Sequence, residues 1–278
     1  MSNAPISFCQ RLQQVADRKN SWLCVGLDPA PDKFPDALKD DPDAVLKFNQ
    51  AIIAATNQYA AAFKINLAFY ETLGKEGHAI LQETIAAIPK ETIIIADAKR
   101  GDIANTARQY ARATLEVLNA DAVTVNPYMG LDTLEPFLDF PGKGIFVLCL
   151  TSNPGARDFQ YLPVNGRPLY EVLLQKLVEN LPVESFGIVA GATQAEQLGS
   201  LRSIAPDTPF LVPGIGAQGG DLEKAVRLGG NSRGDLALIN ASRSILYASQ
   251  DEDFAEAAAQ EAKKLRDDMN AIRQTCHE

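Results

Sequence analysis

The sequence predicts an α/β protein, a (β/α)8 barrel folded as a single domain, and three observations carry that reading. Short β-rich runs alternate with helical segments along the whole chain. Polar residues suited to chemistry follow those runs, at the strand ends where barrel active sites lie. A glycine-rich loop and an arginine then stand after the last two runs, where such barrels hold phosphate.

The first element is an amphipathic helix over Phe8 to Arg18, expected to pack on the barrel rather than to bind a partner. Trp22 to Leu27 is the first strand, and Gly26-Leu27-Asp28-Pro29 ends it in a turn that carries Asp28. Ala44 to Ile53 places apolar residues every three to four positions and reads as a crossover helix. Ala62 to Ile65 is the second strand, with Lys64 inside it and Asn66 just beyond. Thr92 to Ala96 is the third. Alternate residues on a strand share a face, so Ile95, Asp97 and Lys99 point the same way and a carboxylate and an ammonium share one strand mouth. Gly101-Asp102 turns the chain, and Asp102 is the expected N-cap of the next helix.

Ala122 to Val125 ends in Asn126-Pro127, and Gly144 to Leu150 ends in Thr151-Ser152-Asn153. The proline- and glycine-punctuated segment from Asn153 to Pro168 reads as a long surface loop beside the fifth strand mouth, suited to a lid or a subunit contact. Phe186 to Ala190, Pro209 to Val212 and Leu236 to Ile239 complete the strands. After the seventh, Gly214, Gly216, Gly219 and Gly220 give a loop whose backbone can approach a ligand and turn N–H groups toward an anion. After the eighth, Arg243 heads the next helix, and Phe254 to Arg273 is a second amphipathic helix. Strict alternation implies parallel strands with right-handed crossovers, which eight strands close into a TIM barrel; a doubly wound open sheet is the alternative. The domain is expected to span 1–278, with the two terminal helices as extensions of the barrel.

Composition narrows the function. No linker, low-complexity tract or charge block divides the chain, and no apolar stretch approaches the roughly 20 residues that span a bilayer. The N-terminal residues carry no export signal, so the expected location is cytoplasmic, with no membrane partner. A net charge of -9 disfavours a nucleic-acid-coating surface, while a few local cations can still hold one phosphate. Cys9, Cys24, Cys149 and Cys276 lack the paired spacing of a zinc or dithiol site and read as reduced structural thiols. His78 and His277 are the whole histidine complement, which nearly excludes a histidine-centred triad or metal site.

The segment Asp97-Ala98-Lys99-Arg100-Gly101-Asp102-Ile103, with Phe63-Lys64-Ile65-Asn66, Asn126-Pro127-Tyr128-Met129-Gly130 and Pro213-Gly214-Ile215-Gly216-Ala217-Gln218-Gly219-Gly220, resembles the orotidine 5'-phosphate decarboxylase family in its longer bacterial branch. The likeness runs from about Trp22 to Tyr247. It implies a homodimeric barrel that converts orotidine 5'-monophosphate to uridine 5'-monophosphate and carbon dioxide with no metal and no other cofactor. It further implies that Lys99 protonates C6 and that Asp97 faces the departing carboxylate. By the same resemblance, Lys64 and Asp28 hold the ribose, and Asp102 and Thr106 reach the site from the neighbouring subunit. Ser152 falls where the family contacts the pyrimidine, Gln218 and Arg243 where it grips the phosphate, and Pro213 joins the substrate-binding set. Ser242 stands where many relatives carry glycine before the arginine, a difference that bears on one backbone contact. The Asp-x-Lys-x-x-Asp pattern also occurs in magnesium-dependent sugar-phosphate decarboxylases and aldolases, whose chains are usually shorter and lack the Asn-Pro-Tyr-Met-Gly segment. A non-catalytic phosphate-binding barrel is a further alternative, with no evident use for interleaved charges.

Overall fold

A computed structural model describes residues 6–39, 41–215 and 221–275. Its closed barrel consists of parallel strands β1 Leu23–Leu27, β2 Ala62–Asn66, β3 Ile93–Arg100, β4 Ala122–Val125, β5 Gly144–Leu150, β6 Phe186–Ala190, β7 Phe210–Pro213 and β8 Ala237–Ala241. Each pairs with its sequence neighbour. β8 returns to β1 with Ile239 opposite Leu23, which excludes the open doubly wound sheet. The strands fall on the expected runs, and β3 extends furthest past its expected end, from Ala96 to Arg100.

Strand side chains alternate between two environments. Val25, Phe63, Ile65, Val123 and Ile239 face outward into the apolar shell beneath the helices. Cys24, Ala62, Ile95, Ala122 and Leu238 face the barrel axis and form a separate cluster. Climbing toward the C-terminal mouth, this inner series turns polar within one or two steps of the pleat. Ala62 is succeeded by Lys64 and Asn66, Ile95 by Asp97 and Lys99, Ala122 by Thr124, and Leu238 by Asn240.

The opposite end of the barrel is closed by α1, Phe8–Lys19. Its start is a capping box, in which Gln10 N–H donates to Ser7 Oγ at 3.2 Å and Ser7 N–H to Gln10 Oε1 at 3.1 Å. Phe8, Leu12 and Val15 insert among the inner strand residues, and Phe8 meets Phe146 edge-to-face at 5.8 Å between centroids. Gly144 makes room for this plug, because a Cβ there would overlap the Phe8 ring. The long helix Phe254–Thr275 packs against Ala44–Thr56 and against β1.

Two local expectations are corrected. The segment from Asn153 to Pro168 is not a plain loop: it holds a short helix, Ala156–Phe159, and a hairpin pairing Pro163–Val164 with Arg167–Pro168. Asp102 is not the N-cap of the following helix. That helix begins at Ala104 with Ile103 in the cap position, and among the described residues Asp102 Oδ1 accepts only the adjacent Ile103 N–H, at 2.8 Å. Cys9, Cys24 and Cys149 are free thiols, and burial pushes Cys9 and Cys24 up to about 12. Cys276 and His277 lie outside the described residues.

Candidate active site

A cavity of about 460 Å³ occupies the C-terminal mouth of the barrel, lined by residues of β2 to β8 and by Asp28 just past the end of β1. Its charged floor is a chain of alternating sign. Lys64 Nζ stands 3.7 Å from Asp28 Oδ1 and donates to Asp97 Oδ2 at 2.8 Å, while Lys99 Nζ donates to Asp97 Oδ1 at 2.6 Å. Lys64 and Asp97 are buried, whereas the Lys99 side chain is half-exposed and faces the cavity.

Burial opposes charge on both inner groups, and the neighbours override it. Desolvation acts to raise Asp97, yet the Lys64 and Lys99 ammoniums hold its carboxyl well below the usual carboxylate range. Desolvation likewise acts to lower Lys64, and the Asp28 and Asp97 carboxylates instead push it above the usual lysine range. Lys64 and Asp97 therefore both stay charged at neutral pH. A ligand entering the cavity meets fixed charges rather than groups that neutralise one another by proton transfer.

The local backbone is shaped to present these groups. Lys99 adopts φ 47°, a left-handed conformation that costs a non-glycine residue about 1–2 kcal/mol. Beyond it, Arg100 Nη2 pairs with Glu71 Oε1 at 2.6 Å, and its guanidinium lies 5.1 Å from the Tyr110 ring centroid, pinning the strand end. On β1, Tyr247 O–H donates to Asp28 O at 3.0 Å and accepts Ala30 N–H at 2.8 Å, fixing the turn that carries Asp28. Gly26 leaves space for Ser242, whose Oγ would overlap a Cβ at that position. A side chain before Arg243 is accommodated in this way.

Of the sequence-derived site residues, Asp28, Lys64, Asp97, Lys99, Ser152, Pro213 and Arg243 all line this cavity. Asp102 is partly exposed and Thr106 exposed, and neither lines the cavity of its own chain. Gln218 lies outside the described residues. Thr124 and Asn240, both buried on inner strand positions, also line it and carry no role in the sequence reading. Their signal was parity alone: a polar residue two positions above an inward-facing Ala122 or Leu238. Asp28 Oδ1, Ser152 Oγ and Asn240 Oδ1 are buried and have no hydrogen-bond partner among the described residues, so the cavity wall offers acceptors to a polar ligand.

Residues 21–258 match the family model described as "Orotidine 5'-phosphate decarboxylase / HUMPS family". The orotidine 5'-phosphate decarboxylase of Dehalococcoides mccartyi strain BAV1 is 51% identical over 272 residues, covering 96% of this chain and 99% of that one. The structure of Leishmania donovani OMP decarboxylase superposes with a TM-score of 0.83 at 41% identity, covering 97% of this chain and 100% of that one. That of Leishmania donovani UMP synthase gives a TM-score of 0.86 at 42% identity, with 97% of this chain spanning 57% of the larger protein. With the alternating charges at the barrel mouth, these likenesses establish that the chain belongs to the orotidine 5'-phosphate decarboxylase family.

Proposed function

We propose that this chain decarboxylates orotidine 5'-monophosphate to uridine 5'-monophosphate, with Lys99 as the proton donor to C6. The observation that carries the reading is the Asp28–Lys64–Asp97–Lys99 chain at the mouth, which ends in a half-exposed ammonium facing the cavity. When the C6–carboxylate bond breaks, its electron pair stays on C6, where no carbonyl is placed to delocalise it. Stabilisation must be electrostatic, and a proton must follow. The Lys99 ammonium supplies both: it faces the developing charge, passes one proton to C6 and is restored from solvent. Asp97 stands where the substrate carboxylate departs and holds Lys64 and Lys99 apart on its two oxygens.

One cation at about 4 Å is worth roughly 4 kcal/mol at an effective dielectric of 20, whereas the largest enzymatic accelerations need on the order of 20 kcal/mol. Lys99 therefore acts within a larger arrangement. Lys64 and Asp28 hold the ribose, Ser152 contacts the pyrimidine, Pro213 belongs to the substrate-binding wall, and Gln218 and Arg243 form the phosphate end, whose binding energy organises the charged end. A homodimer completes the site, with Asp102 and Thr106 of one subunit reaching the cavity of the other. The exposed Tyr128, Met129, Phe159 and Leu162 near the β4 and β5 mouths support such a contact. Among the described residues no helix is long and apolar enough to cross a membrane, and we place the enzyme in the cytoplasm, where its free thiols stay reduced.

The test is to mix purified protein, orotidine 5'-monophosphate and chelator, following the ultraviolet change and the carbon dioxide released. Turnover unaffected by chelator is expected. Inactivity toward this nucleotide, with magnesium-dependent turnover of a sugar phosphate, would overturn the reading.

A further inference from the structure

Between β3 and β4 the register breaks: Ala96 stands opposite Val123 and Arg100 opposite Val125, so Asp97, Ala98 and Lys99 together face Thr124 alone. Inside this bulge Lys99 N–H donates to Thr124 Oγ1 at 2.9 Å. Asp97 is ionised and can only accept, so the Thr124 hydroxyl donates its proton to Asp97 Oδ1, also at 2.9 Å. The same Oδ1 accepts Lys99 Nζ. These contacts close a ring that runs from the Lys99 main chain through the Thr124 hydroxyl and the Asp97 carboxylate to the Lys99 ammonium.

We propose that Thr124 is a positioning residue for the decarboxylation, its hydroxyl tying the bulged Lys99 backbone and the Asp97 carboxylate together so that the Lys99 ammonium is held in one place. The inference rests on the reading of Lys99 and Asp97 as reacting groups. Thr124 is buried on an inner strand position whose lower neighbour Ala122 is apolar, and for packing alone valine would fill the same shape. A buried hydroxyl is costly unless both its capacities are used, and here one accepts and the other donates. The half-exposed Lys99 side chain has several rotatable bonds, so fixing its backbone end and its carboxylate anchor together restricts where Nζ can stand.

Thr124→Val keeps the shape and removes the hydroxyl. Its kcat is expected to fall about ten- to a hundred-fold, as for loss of a hydrogen bond to a charged group, with KM changed less than about two-fold. Thr124→Ser keeps the hydroxyl and should return kcat to within about three-fold of the parent. If circular dichroism shows the valine variant unfolded, Thr124→Ala takes its place with the same expectation. A hydroxyl-free variant with kcat within about three-fold of the parent, a serine variant no better than valine, or a loss confined to KM would each overturn the proposal. Lys99→Ala separates the two claims: turnover surviving there sinks the underlying reading, whereas an inactive Lys99→Ala beside an unaffected Thr124→Val sinks only the role of Thr124.

Discussion

Asp97 is the pivot of the site because each of its oxygens holds a different lysine, one buried and one facing the cavity. Its depressed pKa makes a stability contribution that is complete above the unfolded value near 3.8 and drains away as pH falls toward the lower folded value. Asp97→Asn, which leaves Lys64 buried with a weakened partner set, should therefore cost about 3–5 kcal/mol at neutral pH. In thermal melts the gap from the parent should persist from about pH 7 to about pH 5 and close progressively below about pH 4, and a gap independent of pH would show that the carboxylate charge is not what stabilises. Lys99→Ala should abolish nearly all turnover in a folded protein, since Lys99 sits at the mouth rather than in the core. Retention of about a tenth of parental turnover would reject it as the donor. Arg243→Ala should raise KM through the lost charge-assisted contact to phosphate, and unchanged efficiency would place the phosphate elsewhere. The charged residues were legible because strand parity aims Lys64, Asp97 and Lys99 inward from recognisable apolar runs. Thr124 and Asn240 are not legible in the same way, because an uncharged polar residue in such a run looks like ordinary strand composition until its neighbours across the barrel are known.

At the level of elements, the two ends of the barrel do separate work. α1 seals the lower end with Phe8 packed against Phe146, and the cavity lies at the other end. Phe8→Ala should cost about 3–5 kcal/mol, read as a lowered melting temperature, while kcat at 25 °C stays near that of the parent. A comparable fall in kcat would mean that the plug and the mouth are mechanically coupled. β3 shows why its full length was not legible: Thr92 to Ala96 carries the apolar signal, but the strand continues through charged residues that pair with β4 only across a bulge. Past Ala96 its backbone is held by tertiary partners, Thr124 Oγ1 accepting Lys99 N–H and Arg100 O accepting Asn126 N–H. The hairpin after β5 was hidden differently, since the proline and glycine punctuation read as loop. Asn165 and Gly166, at φ 51° and 80°, form its two-residue turn, and Asn-Gly is the dipeptide such turns favour, so the turn has a local sequence signal.

For the whole molecule, the central question is whether one chain contains a complete site. Asp102 and Thr106 follow the strand that carries Lys99, yet neither lines the cavity that Lys99 faces. Placing Asp102 in the neighbour's cavity, while Lys99 serves its own, makes the two lesions separable by subunit. In a mixed dimer of Lys99→Ala and Asp102→Ala chains, one cavity receives both lesions and the other receives neither. Two inactive proteins unfolded and refolded together should therefore approach about a quarter of parental activity, because random pairing makes about half the dimers mixed and each mixed dimer has one intact site of two. Native mass spectrometry on differently tagged chains measures the mixed fraction, and activity should rise in proportion to it. Mixed dimers formed in that proportion without recovered turnover, from parents confirmed inactive, would place Asp102 in its own subunit's site and remove the reason for requiring a dimer.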